Sequence, residues 1–128
     1  MLRSDSNGRP MFVRLNTRAG AVAGSAAYGI RVGVAIPLRQ PRPDGLPDKA
    51  ESEQLSAIED ALVAGSSGRA ILVAVITTSG MREFVLYTDA GDWIPDFHQR
   101  MMRSTSSHEV QCTAQHDPGW TVYQQLSR

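Results

Sequence analysis

At 128 residues the chain has the length of one domain and can bury a core without metal or disulfide staples. Thirteen basic and 13 acidic side chains give a formal net charge of zero and a pI near neutrality, so the basic excess of a typical nucleic-acid binder is missing. Cys112 is the only cysteine, which excludes an intramolecular disulfide, and no apolar run reaches the ~18 residues of a membrane helix.

Lys49 is the only lysine; the arginine bias is read as the mark of a GC-rich genome. Residues 1–8 lack the apolar centre of a signal peptide, so a cytoplasmic bacterial protein is expected. Residues 1–10 are polar and expected to fray, leaving 11–128 as a single α+β domain. A short strand is predicted over 11–17, then a loop of small residues over 19–27. The next strand runs over 30–38, with Val32, Val34 and Ile36 on one side and Arg31, Gly33 and Ala35 on the other. Three prolines and Asp44-Gly45 make 39–47 a turn region.

Asp48-Lys49-Ala50-Glu51 has the spacing of a capping box, and Leu55, Ile58 and Leu62 give the following helix one apolar stripe. Gly65-Ser66-Ser67-Gly68 stops it. Residues 70–78 are β-branched and apolar on both faces, which predicts a central strand; Ser79-Gly80 turns it into a hairpin partner over 81–88. Asp92 is the expected cap of a second helix, with Pro95 in its first turn and Ile94, Phe97 and Met101 as its buried stripe. Over 108–115 the chain alternates, with Val110, Cys112 and Ala114 inward. Asp117-Pro118-Gly119 turns it into a short helix over 120–126.

The order strand, helix, strand, strand, helix, strand is that of a ferredoxin-like βαββαβ sandwich, with an extra N-terminal strand and a short C-terminal helix. The central hairpin is apolar on its second face too, and a face that size needs a cover. The chain's own N-terminal segment and Trp120 tail, a second subunit, a protein partner or a ligand could supply it.

Several blocks together resemble one family. They are Phe12-Val13-Arg14-Leu15-Asn16-Thr17, Val32-Gly33-Val34-Ala35-Ile36-Pro37-Leu38, Asp44-Gly45-Leu46-Pro47 and Ile58-Glu59-Asp60, then Val75-Ile76-Thr77-Thr78-Ser79-Gly80, Arg82-Glu83-Phe84-Val85-Leu86-Tyr87 and His116-Asp117-Pro118-Gly119-Trp120-Thr121-Val122-Tyr123. The chain resembles the bacterial "domain of unknown function 695" family from about Phe12 to Leu126. The family has no established activity, so the resemblance carries over no catalytic residues. Proteins with this domain are sometimes linked to one similar to regulator B of ribonuclease E, an inhibitor of RNA decay. A chain of this length is expected to carry only the first of the two.

The residues themselves offer few constellations. His108 and His116 flank the last strand, roughly 26 Å apart if it is straight, and His98 lies just off the buried stripe of the second helix. They read as ordinary surface or boundary histidines, and no metal or cofactor is expected. Cys112 reads as a small buried hydrophobe rather than a nucleophile. The best site candidate is the turn that brings together His116, Asp117 and Trp120, though the same residues can simply fix the turn and anchor the tail. Arg14 and Glu83 are mid-strand charges, either solvated or ion-paired. Arg14 could also receive a carboxylate or phosphate. Tyr87 joins the candidates through the block 82–87, which faintly echoes the base-stacking strand of RNA-recognition modules. Glu83 stands where glycine would precede the first aromatic, so RNA binding through exposed arginines is a third reading only. Phosphate-loop and nucleophile-elbow motifs are missing.

The expected function is therefore a non-catalytic binding or regulatory domain that docks a protein through the apolar sheet face, with a homodimer as one form of it. The rival is a small-molecule sensor or modest enzyme with a site at His116, Asp117 and Trp120 and Arg14 as anion clamp. Neither a nucleic acid nor a membrane is the expected partner.

Overall fold

A computed structural model describes residues 2–4, 8–23 and 28–127. In chain order these form β1 (Leu2–Ser4), β2 (Pro10–Leu15), a 3-10 helix (Thr17–Val22), β3 (Ile30–Pro37), α1 (Lys49–Ser66), β4 (Ala70–Thr78), β5 (Met81–Thr88), α2 (Ile94–Ser104), β6 (Gln111–His116) and α3 (Thr121–Leu126). The strands make one six-stranded sheet in the order β1-β2-β4-β5-β3-β6. Every neighbouring pair is antiparallel, so the chain is an α+β fold. The units β3-α1-β4 and β5-α2-β6 interleave: β5 lies between β3 and β4, and β3 between β5 and β6.

Two clusters of buried side chains lie on opposite faces of this sheet. On the first face the even residues of β3 (Val32, Val34, Ile36) and Phe84 and Leu86 of β5 meet Leu55, Ile58 and Leu62 of α1 and Phe97 and Met101 of α2. The period of two in the strands and of three to four in the helices puts these residues on facing surfaces. On the second face Val73, Val85 and Tyr87 meet Trp120 and Tyr123 from the C-terminal segment and Ala19 from the 3-10 helix. The apolar part of the second face is thus covered by the chain's own segments. The predicted docking surface is correspondingly closed over Val73, Val85 and Tyr87.

Several boundaries differ from those the sequence suggests, each for a local reason. Leu2–Ser4 pairs with Pro10–Phe12, so the segment expected to fray holds a strand; Met1 and residues 5–7 lie outside the described residues. The first expected strand ends at Leu15, because Asn16 caps the 3-10 helix by accepting the Arg18 N–H at 3.2 Å. Part of the expected loop is that helix; residues 24–27 lie outside the described residues. Asp48 does cap α1, accepting the Glu51 N–H at 2.8 Å. Glu51 does not close the box. Its carboxylate instead accepts the backbone N–H groups of Arg39 and Gln40 and meets His108 Nε2 at 2.7 Å.

Asp92 does not cap α2: the cap position is Trp93, whose indole N–H donates to the Thr88 hydroxyl at 3.1 Å. The β4–β5 turn has positive φ at both central residues, Ser79 (52°) and Gly80 (78°), as a type I′ hairpin requires. A bulge between Leu72 and Ala74 turns Val73 and Ala74 together into the second core. The last strand starts at Gln111, not 108, and lies at the sheet edge; Cys112 is only half-buried and Ala114 is exposed there.

Candidate functional site

The turn after β6 brings its chemical groups together only in part. Alternation through β6 sends His116 toward the helix face, beside Ile94 and Pro95, while Asp117 turns to the second face. Asp117 is 5% exposed and fully engaged. Its carboxylate accepts from the Tyr87 hydroxyl (2.7 Å), the Thr121 N–H and hydroxyl (2.9 and 2.7 Å), the Val122 N–H (3.4 Å) and the Arg31 guanidinium (3.4 Å). Burial alone would raise its pKa; the Tyr87, Thr121 and Val122 donors outweigh that and hold it at about 2. The same burial and the neighbouring carboxylate push the Tyr87 phenol up, well out of the physiological range.

Trp120 stacks on Tyr87, ring centroids 4.1 Å apart and planes 12° from parallel, and its indole N–H donates to the Tyr28 carbonyl at 2.7 Å. The residue sits in the left-handed region at φ 54°, ψ 46°. That conformation costs a non-glycine residue roughly 1–2 kcal/mol. Burying an indole of roughly 200 Å² returns about 5 kcal/mol, which explains why tryptophan is kept in a conformation that favours glycine. With every polar atom of Asp117 and Trp120 committed internally, this cluster holds α3 over the sheet. Tyr87 and Phe84 are fully buried and present no face for a base to stack on.

The mid-strand charges fare differently. Glu83 lies on the second face above Gly33: a side chain at 33 would come within 3.2 Å of both the Glu83 carboxylate and the Thr113 hydroxyl, so glycine makes the room. Burial raises the Glu83 carboxyl, and Arg31 partly opposes the shift. Arg14 lies on the helix face and pairs with Glu59 of α1. Arg14 on β2 and His116 on β6 are separated by β4, β5 and β3, about 19 Å of sheet. They cannot clamp one ligand.

Beside Arg14 the structure assembles a group the sequence does not announce. α1 covers the sheet as far as β4, and β2 extends past it as a ledge. Phe12 and Arg14, on the helix side of β2, therefore stay 48% and 58% exposed in residue and side chain respectively. Across β4, Arg82 of β5 shares this side through the cross-strand row Phe12, Thr77, Arg82, and its Nε–H donates to the Thr77 hydroxyl at 2.9 Å. Burial depresses the Arg82 guanidinium; Arg14 adds to the effect and Glu59 opposes it. Two guanidinium groups and an aromatic ring thus share this side of the sheet, with Glu59 of α1 paired to one of them. Arg82 was legible only as a charge next to Glu83; its parity with Phe84 was the available signal for its face.

Other groups are structural. Cys112 is half-buried and its thiol is raised by burial, away from the reactive thiolate. His98 Nε2 lies 2.8 Å from the Val110 carbonyl, tying α2 to the start of β6. Glu51 is buried, which alone would raise it, but the Arg39 N–H, His108 and the Gln40 N–H together hold it below the usual carboxylate range. Among the described residues no three His, Cys, Asp or Glu side chains converge as for a metal, and no helix is long and apolar enough to cross a membrane.

In comparison with known proteins, a model described as a family of unknown function, DUF695, fits residues 1–127. No curated protein and no solved structure matches the chain.

Proposed function

The chain belongs to the DUF695 family of unknown function, which brings no activity with it, and from the geometry we propose that it is a non-catalytic binding domain that docks an acidic segment of a protein partner on the ledge of Phe12, Arg14 and Arg82. A regulatory role in the cytoplasm belongs to the same proposal. The observation that carries it is the group Arg14, Glu59 and Arg82: the Arg82 guanidinium is partly desolvated and feels the charge of Arg14, while Glu59 is already ion-paired with Arg14. A carboxylate from outside would supply the missing counter-charge, and guanidinium forks suit carboxylates in particular. Phe12 offers an apolar neighbour for the stem of such a side chain. The alternative of a small-molecule site at His116, Asp117 and Trp120 draws no support from the geometry, since the last two are buried and His116 faces the other side.

The test is calorimetric titration of the protein with hexaglutamate and, separately, with inorganic phosphate, at low and high salt. The reading expects hexaglutamate to bind, to lose affinity as salt screens the charges, and to bind at least tenfold more weakly to Arg82→Gln and Arg14→Gln. Phosphate binding alone would make this a small-anion site and remove the protein partner. Peptide binding indifferent to both arginines would remove the ledge.

A further inference from the structure

We propose that two copies of this chain pair through their β6 strands, antiparallel about a two-fold axis at Thr113, with Met102 of each copy seated in an apolar hollow of the other. This rests on the opposite edge of the sheet from the Arg14 ledge and is independent of it.

β6 ends the sheet, and among the described residues nothing pairs with its outer side. The direction of its free backbone groups follows from its pairing with β3. The Asp117 N–H donates to the Gly29 carbonyl at 2.9 Å, continuing the register Ile30↔His116. Antiparallel bonding alternates, so Gln111, Thr113 and Gln115 bond inward and Cys112, Ala114 and His116 point their N–H and C=O groups outward. The edge carries none of the usual protections: β6 has no lysine, proline or bulge, and His116 is its only charged or basic side chain.

A second copy of β6 is the occupant its own surroundings select. Exposed Met102 on α2 projects over one end of the strand, beside Val110 and Cys112. A mostly apolar hollow formed by Ile30, Gly91, Ile94 and Pro95, which His116 also lines, lies over the other end, beside Ala114. A two-fold axis at Thr113 places Val110 opposite the partner's His116 and Cys112 opposite the partner's Ala114. It therefore brings each projecting methionine to the other copy's hollow. An isologous contact needs such self-complementarity, a knob and its hole exchanged by the axis. On the second face the same register sets Gln111 against the partner's Gln115 and Thr113 against the partner's Thr113, pairs without opposed charges. An interface of one strand pair and two methionine contacts is small, on the order of 1,000 Å², the size of weak and transient contacts, so the dimer is expected to depend on concentration.

The test is mass measurement by light scattering across a dilution series from roughly 1 to 500 micromolar, centred near the affinity of a weak dimer, on wild type, Ala114→Pro and Met102→Lys. Ala114→Pro removes an outward N–H and leaves every bond to β3 in place, a position where edge strands tolerate proline. Met102→Lys alters an exposed residue and would bury a positive charge beside the partner's His116 only in the dimer. Unchanged far-UV dichroism and melting temperature establish that both variants fold. The proposal expects a concentration-dependent dimer in the wild type, weakened at least tenfold in each variant. It also expects the double variant Cys112→Ser, Thr113→Cys to form a reducible covalent dimer, because the axial pair is non-hydrogen-bonded with Cα atoms about 4.5 Å apart, within disulfide reach. A wild-type monomer throughout, a dimer indifferent to both single variants, or a dimer that fails to cross-link at 113 each overturns it.

Discussion

Replacing Asp117 by asparagine isolates the contribution of one buried carboxylate. The side chain keeps its shape, and Oδ1 can still accept from the Thr121 N–H and hydroxyl. The second oxygen becomes an NH₂ group aimed at three donors: the Tyr87 hydroxyl, Arg31 and the Val122 N–H. The magnitude follows from the pKa. A carboxyl moved from 3.8 to about 2 on folding stabilises the folded state at neutral pH by about 2 kcal/mol. Opposed donors at the Tyr87 hydroxyl, now without an acceptor, bring the expected loss to about 3 kcal/mol.

The sign of the pH dependence is fixed by the depressed pKa. The carboxylate is bound more tightly in the folded state, so its contribution is complete above pH ~4 and disappears as pH falls through about 2. Urea unfolding of wild type and Asp117→Asn at a series of pH values from 7 to 2 measures both. The variant should be about 3 kcal/mol less stable at pH 7, and the gap should narrow by about 2 kcal/mol across the acid window. Parallel pH profiles for the two proteins would refute the reasoning, because they would mean that Asp117 titrates alike in the folded and unfolded chains.

Three further outcomes follow from packing. Trp120→Ala should cost about 3–5 kcal/mol and release α3 from the sheet, read as a loss of near-ultraviolet dichroism from the Tyr87 stack. Glu51→Ala, which strands the Arg39 and Gln40 N–H groups and His108, should cost about 2–4 kcal/mol by chemical denaturation; since Glu51 is depressed, wild-type stability from this group is lost as pH falls below its ordinary value of 4.5. Gly45→Ala should lower the melting temperature more than Gly33→Ala. At 45 the φ is +84° and a side chain would meet the Ser79 backbone at 3.0 Å, whereas at 33 the neighbours are the movable ends of Glu83 and Thr113.

What the sequence made legible was whatever repeats with a period. The alternation of Val32, Val34 and Ile36 and the helical spacing of Leu55, Ile58 and Leu62 are local signals, and they placed the first core correctly. Ser79-Gly80 is a local signal of the same kind. The cap at Asp92 misled because capping depends on the approach of the chain. Here the indole of Trp93, bonded to Thr88, fixes the entry to α2. The bulge at Val73 and the closure by Tyr123, whose hydroxyl donates to the Asn16 carbonyl 107 positions away, depend on contacts without any periodic trace. His116, Asp117 and Trp120 were legible as a group, but not the split that buries Asp117 and Trp120 against Tyr87 and leaves His116 exposed, since a turn with a ring, a carboxylate and an indole has the same composition whether it faces water or core.

Both surfaces left open have one geometric cause. Two helices on the first face belong to the interleaved units of β3 to β6, while the sheet carries two more strands, β1 and β2, beyond β4. The added strands move one edge of the sheet away from α1, and Phe12 and Arg14 fall outside its cover. Among the described residues nothing comparable is added at the other end, so β6 remains an edge and the groove between it and α2 stays open. The second face is sealed instead by the 3-10 helix and α3. The chain itself thus closes the apolar part of the second face, and what the fold leaves exposed is an edge and a ledge, which offer backbone hydrogen-bonding groups and charge rather than apolar area.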